Sequence, residues 1–243
     1  MSYPRVSLPL HQKLSQIPRG DTCRGVNRIV IENLLAHFEG RDFTILDIAC
    51  GDGSFLDAVL RLMPDAITYG SDRVEPTSAA SKHTFLPTDL EVDTKPFNDG
   101  PFDAITCISG LMEYDNTLTF LQRIRRSIRA DGIVLLTNDN LLSVRDRLLY
   151  LLQGRFGQYP FNVKTGSPTW KILPLQNLIR LIDQAGFRID SISYAPPSLT
   201  DGLWFPLALP LFALQRLTVP ALSLYLPLNA LISRHYVLVC RPI

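Results

Sequence analysis

Residues 45–59 read ILDIACGDGSFLDAV: a short apolar run, a turn of small residues and acids, then an apolar period that suits a helix. That order of strand, turn and helix opens a doubly wound α/β fold, in which the turn lies at the carboxyl edge of the sheet and faces the ligand. Small residues alternate through the turn at Ala49, Gly51 and Gly53, and Asp47 precedes them at the same spacing. A dinucleotide fingerprint needs a third glycine three residues after Gly53, so that backbone amides and a helix start hold a pyrophosphate. That position is Leu56, and Asp47 and Asp52 add negative charge where a diphosphate would sit. A nicotinamide-dependent oxidoreductase is therefore disfavoured. A ligand with a positive charge and no phosphate suits this turn better.

Outward from this unit the chain alternates. VNRIVIENLLAHF (26–38), SFLDAVLRLM (54–63), TLTFLQRIRRSIR (117–129) and LQNLIRLIDQAGF (175–187) have helical spacing. FTILDIA (43–49), AITYGSD (66–72), FDAITCISG (102–110), DGIVLLTN (131–138), RIDSISY (188–194) and HYVLVCR (235–241) read as strands, the fourth starting from an Asp-Gly turn. Strands separated by helices of this length imply a doubly wound, mostly parallel sheet.

The 243 residues, 46% hydrophobic and 19% charged, suit one globular domain with decorations. With 24 basic against 23 acidic residues there is no surplus to track phosphates, so no nucleic-acid partner is expected. Cys23, Cys50, Cys107 and Cys240 form no Cys-x-x-Cys pair, and no His pair has ligand spacing, so no metal site is expected. The thiols read as small core groups in a reducing cytoplasm. The opening MSYPRVSLPLHQK lacks the basic start and apolar run of a secretory signal.

Two stretches exceed what a plain sheet needs. Residues 139–172 follow a strand and are too long for a turn. Residues 196–234 are rich in Leu and Pro, and Arg216, Pro206, Pro210, Pro220 and Pro227 interrupt their apolar runs. A spanning helix needs roughly 20 apolar residues, so a lid, a homodimer interface or a membrane-surface contact is expected for 196–234 instead.

Three acids fall where a phosphate-free nucleoside would need them. Asp47 ends the first strand, Asp72 ends the second, and Asp89 in LPTDLEVD precedes the next core strand. A carboxylate in the second position commonly accepts hydrogen bonds from ribose hydroxyls. At these residues the chain resembles the class I S-adenosylmethionine-dependent methyltransferases. ILDIACGDG resembles their cofactor loop and YGSDRVEP their ribose acid. PTDLEVDTKPFNDGPFDAITCISGLMEY resembles the adenine acid and fourth strand, and LQRIRRSIRADGIVLLTNDN the helix and strand that follow. Ala49 departs from the pattern, which usually has Gly there. The layout is most similar to small bacterial methyltransferases of surface-polysaccharide or lipid-linked sugar pathways, on YLLQGRFGQYPF, QAGF and the Leu/Pro-rich stretch. Those proteins often carry a His where this chain has TWKILP.

The resemblance implies an α/β fold with a doubly wound, seven-stranded, mostly parallel sheet, the last strand antiparallel, plus helical lid insertions. Residues 1–25 would form an N-terminal lid segment and 26–243 the methyltransferase domain, with insertions at 139–172 and 196–234. It implies S-adenosylmethionine as cofactor. Asp47, Ala49, Gly51 and Gly53 would hold the methionine end, Asp72 the ribose with Arg73 flanking the adenine, Asp89 and Leu90 the adenine, and Cys107 the methionine side by its backbone. An unactivated hydroxyl also needs a general base. The candidates at the carboxyl edge are Glu113 first, then His235 and Asp139, with Tyr114, His11 and His83 behind them. The expected reaction is methyl transfer to a hydroxyl of a lipid-linked sugar or another hydrophobic small molecule. The expected setting is cytoplasmic, peripheral at the inner membrane face. A methyltransferase-like protein that only binds cofactor or partner is the alternative.

Overall fold

The computed structural model describes residues 14, 17–18, 22–73, 83–88, 97, 100–157, 159, 171–218 and 226–243. In chain order the elements are α1 (Val26–Phe38), β1 (Phe43–Ile48), α2 (Ser54–Leu62), β2 (Ala66–Ser71), β3 (Thr84–Phe85), β4 (Phe102–Cys107), α3 (Thr117–Ser127), β5 (Ile128–Asp139), α4 (Val144–Gln153), α5 (Leu175–Gln184), β6 (Phe187–Tyr194), α6 (Leu199–Gly202), α7 (Phe205–Thr218) and β7 (His235–Pro242). Short 3-10 turns cover Leu111–Glu113 and Leu228–Leu231. His11, Asp89, Leu90 and most of the 1–25 segment lie outside the described residues.

β1 is buried at every position but Thr44, as a branched apolar run with neighbours on both faces must be. The seven strands order as β3-β2-β1-β4-β5-β7-β6. β2 and β4 flank β1 in parallel, β5 follows β4 in parallel, and β7 runs antiparallel between β5 and β6. This is the expected doubly wound sheet with its last strand reversed. Successive residues feed opposite faces. Ile45, Leu135 and Val237 pack with α1 and α2, whereas Leu46, Leu136 and Tyr236 pack with α3 and α5.

The structure differs from expectation at two places in the sheet. β3 is a two-residue strand that no sequence period announces. β5 starts at Ile128, directly after α3, so the Asp131-Gly132 pair lies in a bulge inside the strand rather than in a turn before it. Phe102 pairs with Ile128 but Ala104 pairs with Ile133. A Cβ on Gly132 would fall 2.8 Å from the Asp103 carbonyl oxygen. The Asp103 carboxylate anchors the bulge by accepting from Thr44 N at 2.8 Å and from Arg129 at 2.5 Å.

The two insertions meet. Val144 and Leu148 of α4 share a small apolar cluster with Trp204, Ala208, Leu211 and Phe212 and with Leu228 and Leu231. Ser143 caps α4 through Asp146 N, and Asp146 Oδ1 accepts from Gly157 N at 2.8 Å, which folds the following chain back onto the helix. Ser198 and Asp201 form a capping box at α6, and Asp201 also pairs with Arg234 at 2.7 Å.

Strand order reverses between β1 and β4, where a doubly wound sheet opens its ligand crevice. The loops leaving these strands touch there. A Cβ added to Gly110 would lie 2.6 Å from the Cβ of Ala49. Gly110→Ala is therefore expected to cost about 1–3 kcal/mol by overpacking, read as a fall in Tm. Ala49→Gly removes the opposing methyl and a left-handed alanine (φ 57), so the double variant should recover most of the loss. Strictly additive effects of the two changes would refute this contact.

Candidate active site

Asp47 is the residue of β1 opposite Thr106 of β4. Thr106 Oγ1 donates to Asp47 Oδ1 at 2.6 Å, fixing the carboxylate at the crevice. Burial pushes the Asp47 carboxyl up to about 7, against the Thr106 hydrogen bond, with the Asp72 charge adding to the rise. The turn that follows is left-handed at Ala49, Gly51 and Gly53, with φ of 57, 54 and 76°. That conformation favours glycine, and it lets Gly53 cap α2 and turn the chain into the helix at once.

Asp72 follows β2 and ties this turn to its own loop. Its Oδ2 accepts from Gly51 N at 3.0 Å and its Oδ1 from Arg73 N at 2.7 Å. A Cβ on Gly51 would meet nothing within 4 Å, so one side of the turn stands open. Glu113 lies in the 3-10 turn after β4 and is half-buried. Burial raises its carboxyl, the Arg73 charge opposes the rise and the Asp72 charge adds to it. The cap of the next helix comes from Asn116, not from Glu113. Cys107 ends β4 level with Ile48, fully buried, and burial pushes its thiol far up. Asp47, Ala49, Gly51, Gly53, Asp72, Arg73, Glu113 and Cys107 thus gather around one end of the crevice.

A second cluster stands at the end of β5. Antiparallel pairing sets Asp139 opposite His235. His235 Nε2 lies 2.8 Å from Asp139 Oδ1, both side chains buried. Tyr159 Oη donates to Asp139 Oδ2 at 3.0 Å and lies 3.1 Å from Met112 Sδ, next to Glu113. Burial alone would pull the imidazole down; Asp139 and Cys23 outweigh it and hold His235 up at about 9. Hydrogen bonding to His235 draws the half-exposed Cys23 thiol below its ordinary range, against burial. Asp139 Oδ1, His235 Nδ1 and Asn138 Oδ1 are buried without a well-aligned hydrogen-bond partner, so the Asp139–His235 approach is a close charge contact and not an aligned hydrogen bond.

Three of these residues escaped the sequence reading. Thr106 gave no signal, because its role depends on the β1–β4 register. Tyr159 sits in YLLQGRFGQYPF, but nothing in the spacing aims it at Asp139. Cys23 was expected to be an inert core thiol like the others. Cys50, Cys107 and Cys240 are indeed buried, but Cys23 is not. Lys171 is a tether: its Nζ donates to Tyr114 O, Asp115 O and Thr117 Oγ1. Tyr114 is buried and stacked on Phe120, with its hydroxyl hydrogen-bonded to Cys107 at the Asp47 end of the crevice, whereas His83 bonds Thr68 at 2.8 Å away from both groups.

The pair has a checkable signature. The His235 ring should titrate near 9 by NMR, and Asp139→Asn should lower it clearly, since Cys23 alone then opposes burial. Because the folded value exceeds the unfolded one, the pair's contribution to stability is complete below about 6.5 and is lost as pH rises through about 9. A ring that titrates near 6.5 in both proteins would show that the two groups are not coupled.

Among solved structures, the fold matches a Burkholderia thailandensis 1,6-didemethyltoxoflavin-N1-methyltransferase with bound 1,6-didemethyltoxoflavin and S-adenosylhomocysteine. The TM-score is 0.55 at 16% identity, over 89% of this chain and 77% of that one. It also matches the magnesium protoporphyrin IX methyltransferase of Synechocystis PCC 6803 with bound S-adenosylhomocysteine, at TM-score 0.58 and 14% identity, over 98% and 89%. In sequence, 126 residues are 25% identical to a tRNA U34 carboxymethyltransferase from Nautilia profundicola, spanning 49% of this chain but only 41% of that relative. The family model described as "Methyltransferase domain" matches residues 18–192, which contain the Asp47 turn, Asp72, Glu113 and Asp139. With that match over most of its length, and with the sheet order and crevice described above, the chain belongs to the methyltransferase-domain family.

Proposed function

We propose that the protein transfers a methyl group from S-adenosylmethionine to a hydroxyl of a lipid-linked sugar or another hydrophobic small molecule. The observation that carries the hydroxyl reading is the buried Asp139–His235 pair at the carboxyl edge, joined through Tyr159 to the loop that holds Glu113. The donor reading rests on chemistry. Two carboxylates, Asp47 and Asp72, flank an open left-handed turn with no phosphate-binding glycine pattern, and two fold neighbours were crystallised with S-adenosylhomocysteine.

Asp47 attracts the ammonium end of the donor, and the backbone of Ala49, Gly51, Gly53 and Cys107 holds the methionine moiety. Asp72, already oriented by Gly51 N and Arg73 N, has lone pairs left for ribose hydroxyls. Arg73 flanks the adenine, and Asp89 and Leu90 take its edge. When bound, S-adenosylmethionine supplies a methyl group already activated by its sulfonium.

The chain must then align the acceptor and remove its proton. The neutral form of His235, which grows as pH rises toward about 9, takes up that proton as the acceptor oxygen takes up the methyl. Asp139, 2.8 Å from Nε2, stabilises the imidazolium that results, and Tyr159 holds Asp139. Glu113, the first candidate from sequence, lies instead beside Arg73 and Asp72 and acts on the donor side. A cofactor-binding protein without transfer is the alternative, and it leaves the Asp139–His235 pair without a purpose.

Calorimetric titration with S-adenosylhomocysteine tests the donor site. Binding is expected, weakened at least tenfold in Asp72→Asn with the fold intact by circular dichroism. No binding by the folded wild type would sink the donor reading. The same titration has a predicted pH dependence. The ligand's ammonium group favours ionised Asp47, so affinity should rise with pH through about 7 and then level. Asp47→Asn should flatten that limb while weakening binding, and a limb unchanged in Asp47→Asn would assign it to another group.

A further inference from the structure

Helix α7, FPLALPLFALQRLT, lies on the surface with one fully buried residue, Ala208. Phe205, Leu207, Leu209, Leu214 and Leu217 are exposed on it, Leu217 by 81%. Leu151 and Leu152 at the end of α4 are exposed by 77% and 76%. Soluble surfaces rarely carry so continuous a run of large apolar side chains without a partner for them. The two helices are one unit, held by the cluster of Val144, Leu148, Ala208 and Phe212.

The charges on this unit carry one sign. Its two acids, Asp146 and Asp201, are buried and consumed as cap partners, Asp146 by Ser143 and Gly157, Asp201 by Ser198 and Arg234. What remains is cationic: Arg216 is exposed and lies over the Phe212 ring at 4.9 Å, and Arg145, Arg147 and Arg155 are half-buried. Apolar side chains among arginines, with every acid turned inward, match the chemistry of an interfacial helix on an anionic membrane. A protein partner would have to bring an apolar face and acidic groups together, whereas an anionic bilayer surface presents both at once. At 14 residues the helix is about 21 Å long, short of a bilayer core of about 30 Å. Among the described residues no helix is long and apolar enough to cross a membrane.

We infer that α7 and the end of α4 seat the protein on the surface of a bilayer containing anionic phospholipid, with the helices lying in the interface. Asn140, next to the catalytic pair, donates to Ala230 O at 2.6 Å and Ser233 O at 2.8 Å, so the carboxyl edge is fastened to the segment that follows α7. Docking there brings the Asp139–His235 pair to the level at which a lipid-borne hydroxyl is presented. The inference deepens the reading of a hydrophobic acceptor and rests on it for the acceptor alone.

The test is cosedimentation of the full chain with vesicles, read without turnover. Vesicles of equal parts phosphatidylethanolamine and phosphatidylglycerol should retain the wild type, and phosphatidylcholine vesicles should retain at least tenfold less. High salt should weaken the anionic binding. Leu214→Glu with Leu217→Glu, both changes at exposed positions, should lower retention at least tenfold, and Arg216→Glu should lower it on anionic vesicles. An unchanged melting temperature in these variants shows that the fold is intact. Wild type that stays in the supernatant with both vesicles, or leucine variants that bind like wild type, would overturn the proposal. So would a wild-type dimer that the leucine changes convert to a monomer, because the face would then be covered by a second copy. Vesicle binding without S-adenosylhomocysteine binding would leave the docking surface standing and remove the donor reading only.

Discussion

The antiparallel course of β7 between β5 and β6 is the constraint on which the site depends. The strands before it all end at one edge, so a reversed strand must begin there. Its first residue therefore stands opposite the last residue of β5, which is how His235 comes to face Asp139 across 96 positions of sequence. The same reversal obliges the chain between β6 and β7 to pass over the carboxyl edge. The insertion after β5 leaves from that edge as well, and the two insertions find each other there and form one apolar unit.

The parallel half of the sheet supplies the other half of the site. In-register pairing of β1 with β2 and β4 brings Ile48, Ser71 and Cys107 to the same level, so the three loops that follow leave side by side. They are packed to contact, with Ala49 against Gly110, and tied by Thr106 to Asp47 and by Asp72 to Gly51. Each tie orients a carboxylate before any ligand arrives. Orientation of this kind is what lets a crevice bind selectively without reorganising.

Ionisable groups buried here cost stability, because desolvation penalises charge. The fold answers in two ways. Asp47 is left close to its ionisation midpoint, ready to become charged when a cation approaches. Asp139 and His235 are given each other, and Tyr159 fills the carboxylate's second oxygen. The left-handed alanine at position 49 is a further local cost, concentrated where the crevice needs the chain to turn sharply.

The α/β alternation, the turn at residues 49–53 and the acids at 47 and 72 were legible in the sequence because each depends on local order: period, glycine placement and spacing along a strand. Helix α1 and strand β7 fall where the apolar periods set them. The family itself was legible for the same reason, since its motif is local. The bulge at Asp131-Gly132 was not, because it answers to Asp103 on another strand. Nor were Thr106, Tyr159 and Cys23, whose neighbours lie on distant segments. The candidates His235 and Asp139 could be named one by one, but their pairing required the register of β5 with β7. Sequence by itself determined the α/β alternation, the family and the glycine-rich turn with its acids, because these follow from near neighbours. Only the tertiary structure decided which acid meets the histidine and which apolar residues remain uncovered, because contacts between remote strands and helices exist only once the sheet has closed its order.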